Sequence, residues 1–105
     1  MSYQSSATGA LAATGRSQVI TSNARPGEPR DIKITGEGTW VGSVSVEVRS
    51  PNAASWSIAS RDSAGTDATY TANFCIMLTS VLPEEEISLN FTRTSGTLDY
   101  RIEQA

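Results

Sequence analysis

The feature that most constrains this chain is a set of short segments in which apolar and polar residues alternate, separated by turn residues. Residues 44–48, 87–91 and 98–102 each place an apolar side chain at every second position. Because successive side chains of a β-strand point to opposite faces, this period of two predicts strands with one buried face and one solvated face. Such segments, spaced about 8 to 12 residues apart with turn residues between them, are typical of a small antiparallel sandwich or barrel.

The whole pattern predicts an all-β fold, an antiparallel β-sandwich of jelly-roll or immunoglobulin-like kind with about seven or eight strands. The predicted strands are residues 17–21, 31–35, 40–49, 55–60, 68–73, 74–81, 87–92 and 97–104, the fifth and sixth being either one long strand or two short ones. Gly42 predicts a β-bulge, and Ser95-Gly96 predicts a hairpin turn. The order of the strands does not follow from the pattern.

Residues 1–16 differ in composition from the rest of the chain. The segment Met1–Gly15 carries no charge and is composed mainly of Ser, Ala, Thr and Gly. Such a segment buries too little apolar surface to offset the entropy lost on ordering. We therefore expect residues 1–16 to form a flexible, extended N-terminal arm, and residues 17–105 to form the sandwich domain. Two interpretations of the arm stay open: a mobile tail, or an arm that orders against a neighbouring subunit.

Composition excludes several kinds of site. The chain contains no histidine, which removes the commonest proton shuttle and metal ligand and excludes a Ser-His-Asp or Cys-His device. Cys75 is the only cysteine, so no intramolecular disulfide can form, and its apolar neighbours predict that it packs as a small hydrophobe. The acidic segments around residues 62–67 and 84–86 are interpreted as turns. We expect no catalytic residue, no cofactor and no metal site.

The net charge and the hydropathy of the chain limit the classes of partner that we expect. The net charge of −3 and the scattered arginines argue against binding to nucleic acid. No signal peptide is visible and no apolar run approaches the ~20 residues that cross a bilayer, so we expect a soluble protein without a membrane partner.

The two tryptophans are interpreted differently. Trp56 is in phase with Ile58, which predicts that it lies in the core. Trp40 stands at the start of a predicted strand, where it is either part of the core or half-exposed. An exposed Trp40 would offer a platform on which sugars stack.

Several motifs resemble those of small, β-rich bacteriophage virion proteins. The segment Gly38-Thr39-Trp40-Val41-Gly42-Ser43-Val44, followed by Val48-Arg49-Ser50, a short turn and Trp56, is similar to a pattern in those chains. Their C-terminal half is similar to Pro83-Glu84, to residues 87–91, to Ser95-Gly96-Thr97 and to Tyr100. The resemblance spans about residues 30–104.

This resemblance implies a non-enzymatic virion component made in the host cytoplasm. The form that we favour is a capsid decoration (cement) protein, which binds the outer surface of the phage head and bridges capsomers. The implied partners are the major capsid protein or other virion proteins, together with further copies of the chain, a trimer being one possible homo-oligomer.

The candidate partner contacts are Tyr3, Leu11, Arg16, Val19 and Trp40. An uncharged arm can bind a partner by adding a strand to a sheet. This hypothesis predicts that deletion of residues 1–16 leaves a folded domain that no longer binds its shell. Two alternatives stay open: a carbohydrate-binding or fibre-tip module that uses Trp40, and a tail or head-spike adaptor.

Overall fold

The computed structural model describes residues 6–50, 53–60 and 65–104. These residues form β-strands joined by turns and irregular segments. The strands are Ser6–Leu11 (β1), Gly15–Arg16 (β2), Ile20–Thr21 (β3), Arg30–Glu37 (β4), Trp40–Arg49 (β5), Ser57–Ile58 (β6), Thr69–Tyr70 (β7), Phe74–Val81 (β8), Glu86–Gly96 (β9) and Leu98–Gln104 (β10). Within the described ranges, no helix is long and apolar enough to cross a membrane.

The strands form two antiparallel sheets with the core between them. One sheet has the order β1-β10-β4-β8, and the other has the order β2-β9-β5-β6, with β3 also paired to β9 and β7 also paired to β5. We call them the four-stranded and the six-stranded sheet. The predicted all-β sandwich is confirmed.

The pairing follows one long hairpin folded onto itself. β1 pairs with β10, β2 and β3 with β9, β4 with β8, and β5 with β6 and β7. This long hairpin is wound into two layers, so that β10 also pairs with β4 at the centre of one sheet and β9 also pairs with β5 at the centre of the other. In an immunoglobulin sandwich the first strand lies beside the second, whereas here it lies beside the last. The strand order is therefore that of a jelly roll.

The alternating segments place their apolar side chains between the two sheets, as predicted. β9 and β10 contribute the apolar residues of residues 87–91 and 98–102, and β4 and β5 face them with isoleucine and valine pairs. Each fully buried side chain of this kind contributes about 1.5–3 kcal/mol relative to an exposed one. The fully buried members are Ile20, Ile32, Ile34, Val44, Val46, Ile87, Leu89, Phe91, Leu98 and Ile102.

Two glycine positions predicted from the sequence take backbone conformations that favour glycine. The β5–β9 pairing shifts register between Val41 and Gly42, and the extra residue belongs to β9. Gly42 has a φ of 143°, and a Cβ there would overlap the carbonyl oxygen of Thr92. Gly96, the last residue of β9, has the expected positive φ of 78°. Both conformations disfavour any residue with a side chain. The predicted hairpin is wrong, because β9 and β10 belong to different sheets and do not pair with each other.

The expected separate arm is corrected for residues 6–16. β1 pairs along its whole length with β10, and Ala7 is buried in the core. β2 then pairs with β9 in the other sheet. The segment is extended, as predicted, but the sandwich supplies the apolar surface and hydrogen-bond partners that it lacks in isolation. Residues 1–5, including Tyr3, lie outside the described residues.

Candidate functional surfaces

The outer face of the six-stranded sheet carries two ion pairs joined by an indole ring. Arg16 Nη2 lies 2.6 Å from Glu47 Oε1, and Arg49 Nη2 lies 2.8 Å from Glu86 Oε1. The two guanidinium carbons lie 4.4 and 4.5 Å from the ring centroid of Trp56. These five residues, which we call the Trp56 cluster, come from three paired strands and the loop before β6.

The Trp56 cluster holds a loop against the sheet. A cation–π contact contributes about 0.5–1 kcal/mol at an exposed site, and a partly exposed ion pair contributes about as much. Both guanidinium groups already face carboxylates, so the cluster has no free cation to offer an anionic ligand. Its arrangement supports a structural role.

Trp40 lies in the core, one of the two positions expected for it, whereas Trp56 does not lie where expected. Trp40 is only 9% exposed, its ring edge packs on Phe91 at 5.7 Å, and its Nε1–H donates to Asn73 Oδ1 at 2.8 Å. Trp56 is half-buried on the outside of the sheet. It is indeed in phase with Ile58, but that residue opposes Glu47 on the outer face and is itself exposed.

The expected core position of Trp56 is therefore wrong. Its phase relation with Ile58 cannot distinguish the outer face of a strand from the inner one. Of the two interpretations of Trp40, the core position is confirmed and the half-exposed sugar platform is wrong, because the ring is enclosed by the core.

The predicted partner contacts do not form one surface. Leu11 is half-buried at the end of β1 in the four-stranded sheet, whereas Arg16 belongs to the Trp56 cluster on the other sheet. Val19 is half-buried in the segment between β2 and β3. Trp40 lies in the core, and Tyr3 lies outside the described residues.

A buried polar network that the sequence did not indicate holds the segment between β2 and β3. Ser17 Oγ accepts a hydrogen bond from the backbone N–H of Leu89 at 2.8 Å and lies 3.2 Å from Ser88 Oγ. The N–H of Gln18 donates to Tyr100 Oη at 3.1 Å, which connects the two sheets. Serines at these positions follow no motif, and only the fold brings them together.

The acidic segment after β8 is part of a turn, as expected. Glu85 Oε1 accepts a hydrogen bond from the N–H of Leu82 at 2.8 Å, and Glu86 is paired with Arg49. Glu84 takes a φ of 61°. Among the residues that the structure describes, no group of three or more His, Cys, Asp or Glu side chains could hold a metal ion.

The expectation that Cys75 packs as a buried hydrophobe is wrong. Its side chain is exposed on the outer face of the four-stranded sheet, where Thr35 Oγ1 donates to its Sγ at 3.7 Å. β8 alternates, but every residue on both of its faces is uncharged and most are apolar, so the period of two is hidden in the sequence. Phe74, Ile76 and Leu78 take the inner face.

The strands at the sheet edges differ in length and regularity. In the six-stranded sheet, one edge is divided between β2 and β3, and the other between β6 and β7, all of two residues. The four-stranded sheet ends instead in β1, of six residues, and β8, of eight residues. Neither strand contains a charged residue or a proline, two of the devices that commonly protect a sheet edge.

Comparisons with known proteins found no family model, no curated protein and no solved structure that matches this chain.

Proposed function

We propose that this chain is a non-enzymatic structural protein of a bacteriophage virion, which decorates the outer surface of the head and bridges neighbouring capsomers. The sequence motifs that resemble small virion proteins motivate the proposal. The observation that carries it is the position of β1 at the rim of the four-stranded sheet.

β1 is presented in a form suited to strand addition. One side of the strand pairs with β10, and in the described part of the chain no strand pairs with its other side. Its outward-facing residues Ser6, Thr8 and Ala10 are small and uncharged, so a partner strand meets neither bulk nor charge. Strand addition draws affinity from main-chain hydrogen bonds, which such a strand leaves accessible.

A shell of repeated capsomers compensates for the low affinity of a single edge contact. A six-residue strand offers few hydrogen bonds to a partner, and each one adds only about 0.5–1.5 kcal/mol net. When one protein makes contacts to two neighbouring capsomers, the second contact becomes intramolecular and the combined affinity rises. Bridging is thus the arrangement in which weak edge contacts suffice.

The jelly roll is compatible with this proposal without selecting it. The architecture is found in viral capsid proteins and also in lectins and cupins. Function therefore has to be argued from the surfaces rather than from the fold. The carbohydrate alternative depended on Trp40, and the burial of that side chain removes the platform that it needed.

Shell binding tests the proposal. The variant Thr8→Glu places a charge on the outer face of β1, at the rim of the sheet and opposite Arg101 of β10, where the folded monomer tolerates it. We expect its binding to purified phage shells that lack the protein to fall about tenfold, equivalent to about 1.4 kcal/mol. The matched control, Thr92→Glu, adds the same charge at an exposed position on the other sheet and should bind normally.

Counting copies in purified particles distinguishes the head from other locations. Quantitative mass spectrometry should find hundreds of copies in each virion if the protein decorates the shell. Six or twelve copies would instead indicate a tail or head-spike adaptor.

In the shell-binding experiment, normal binding by Thr8→Glu would contradict the role of β1.

A further inference from the structure

β8 is the longest edge strand of the described chain, and its residues 74–78 pair regularly with β4. No charged residue occurs anywhere in residues 68–83. The strand pairs with β4 on one side, and no strand of the described chain pairs with the other side. Of the devices that usually protect such an edge, β8 has a bulge between Leu78 and Val81, but residues 74–78 contain neither a charge nor a proline.

Two large apolar side chains are exposed on or beside this strand. Four large apolar side chains of the described residues are exposed, and two of them belong to β8 and the residue that follows it. Met77 is 51% exposed on the outer face of the sheet, and Leu82 is 56% exposed just beyond the strand. A partner strand beside β8 would cover Met77 and would pair the open main-chain groups.

We propose that β8 pairs with β8 of a second copy of this chain, antiparallel, about a two-fold axis perpendicular to the sheet. The two four-stranded sheets then become one sheet of eight strands, and the pairing closes because each copy uses its β8 once. Opposed residues have the same parity, so Phe74, Ile76 and Leu78 stay on the inner face in both copies.

Charge favours a second copy as the occupant. A charged peptide would find nothing on β8 to recognise, whereas two uncharged strands meet without repulsion even though each copy has a net charge of −3. Lys33 of β4 is opposite Met77, so in the dimer the two copies of this lysine are about three strand spacings, or ~14 Å, apart. That separation exceeds the Debye length of about 8 Å at physiological ionic strength.

The strand also restricts the register of the dimer. The bulge limits regular pairing to the residues before it, and overlap of that part with matched faces centres the pair on Ile76 or on Met77. In the first register Met77 opposes Cys75, and in the second it opposes its own copy. In both registers the Met77 side chain lies against the partner strand, which makes it the position to test. β1 remains free at both ends of the joined sheet, and the proposal does not depend on what β1 binds.

The variant Met77→Glu separates the dimer from the monomer. In the monomer, the new carboxylate faces Lys33 across the β4–β8 pair, which the fold tolerates. In the dimer, it lies at the interface, close to its own copy, where like charges oppose pairing. The matched control is Thr8→Glu, which adds a glutamate on the other edge strand of the same sheet, opposite Arg101.

Sedimentation equilibrium gives the readout, with circular dichroism to show that each variant is folded. We expect wild type and Thr8→Glu to have twice the mass of one chain, and Met77→Glu to dissociate with a Kd raised about tenfold or more. A monomeric wild type, a trimer, or a dimer that Met77→Glu leaves intact would overturn the proposal.

A cross-linking experiment tests the same pairing without adding charge. In the Cys75→Ser background, Met77→Cys should form an intermolecular disulfide on mild oxidation, because residue 77 lies at or beside the axis. Thr8→Cys in that background should remain uncross-linked. Equal cross-linking of the two variants would contradict pairing through β8.

Discussion

Glycines 9 and 36 make room for two aromatic side chains on the inner face of the four-stranded sheet. Across the sheet, Gly9 opposes Tyr100, Tyr100 opposes Gly36, and Gly36 opposes Phe74. The Phe74 ring lies over the backbone of Gly36 and stacks on Tyr70 of the other sheet at 4.3 Å. The stacked rings of Phe74 and Tyr70 therefore connect the two sheets. A larger residue at position 36 would displace the Phe74 ring and disturb this contact.

The substitution Gly36→Ala tests this packing. Its Cβ would overlap the ring of Phe74, so we expect the free energy of unfolding to fall by about 1–3 kcal/mol, as for other overpacked cores. The control is Gly15→Ala, because a Cβ at that strand position meets nothing within 4 Å. Urea denaturation of both variants measures the difference. Equal stabilities would contradict the packing described for Gly36.

The two tryptophans should be distinguishable by fluorescence. In Trp56→Phe, the remaining Trp40 is enclosed by the core, so we expect blue-shifted emission that acrylamide quenches weakly. In Trp40→Phe, the remaining Trp56 is half-buried between water and two guanidinium groups, so we expect red-shifted emission that is quenched readily. Emission spectra and quenching constants provide the measurement. The reverse assignment of the two spectra would contradict the structure.

At the scale of elements, the strands differ in how much of their structure the sequence predicts. β5, β9 and β10 alternate visibly because their outward residues are polar, and all three occur where predicted. β8 does not alternate visibly, because its outer face is uncharged as well. Its existence could be predicted, whereas the exposure of Cys75 and Met77 could not.

The edge formed by β2 and β3 depends on long-range polar contacts. Arg16 pairs with Asn90 and Ile20 with Ile87, so the edge segment contains one more residue than the β9 segment that it follows. At this bulge, the Leu89 N–H donates to the Ser17 side-chain Oγ instead of to a main-chain carbonyl of the neighbouring strand. The hydroxyl thus satisfies a buried donor that the irregular backbone leaves unpaired.

Removal of that hydroxyl should be costly. In Ser17→Ala, the N–H of Leu89 loses its acceptor in a buried site, and we expect a loss of about 1–3 kcal/mol of stability. The control Ser45→Ala removes an exposed hydroxyl that lies 3.1 Å from Thr69 Oγ1, and it should change stability by less than about 0.5 kcal/mol. Thermal and urea unfolding compare the two. Similar losses in both would count against the network.

At the scale of the whole molecule, the chain is a nested hairpin that closes by pairing its first described strand with its last. β1 covers one side of β10, whose residues 98, 100 and 102 belong to the core. The segment that composition marks as a separate arm is therefore one boundary of the sandwich. The same position leaves β1 at a rim, where it is available to a partner.

Deletion of residues 1–11 tests this arrangement. We expect the truncated chain to lose several kcal/mol, a large part of the ~5–15 kcal/mol typical of a small domain, because β10 loses its neighbour and the core is uncovered. Deletion of residues 1–5 leaves β1 intact and serves as the control. Urea midpoints and slopes measure the loss. Unchanged stability after removal of β1 would show that residues 6–11 form a dispensable arm after all.

The sequence by itself determined the fold class, most strand positions, the register shift at Gly42 and the positive φ of Gly96. These features depend on the period of neighbouring side chains or on the φ of one residue, which are local properties. Only the tertiary structure decided the jelly-roll order, the passage of the chain between sheets after Gly96, the incorporation of residues 6–16, and the outer-face position of Trp56. Each of these depends on which distant strand supplies a hydrogen-bond partner or covers a face, and no short segment contains that information.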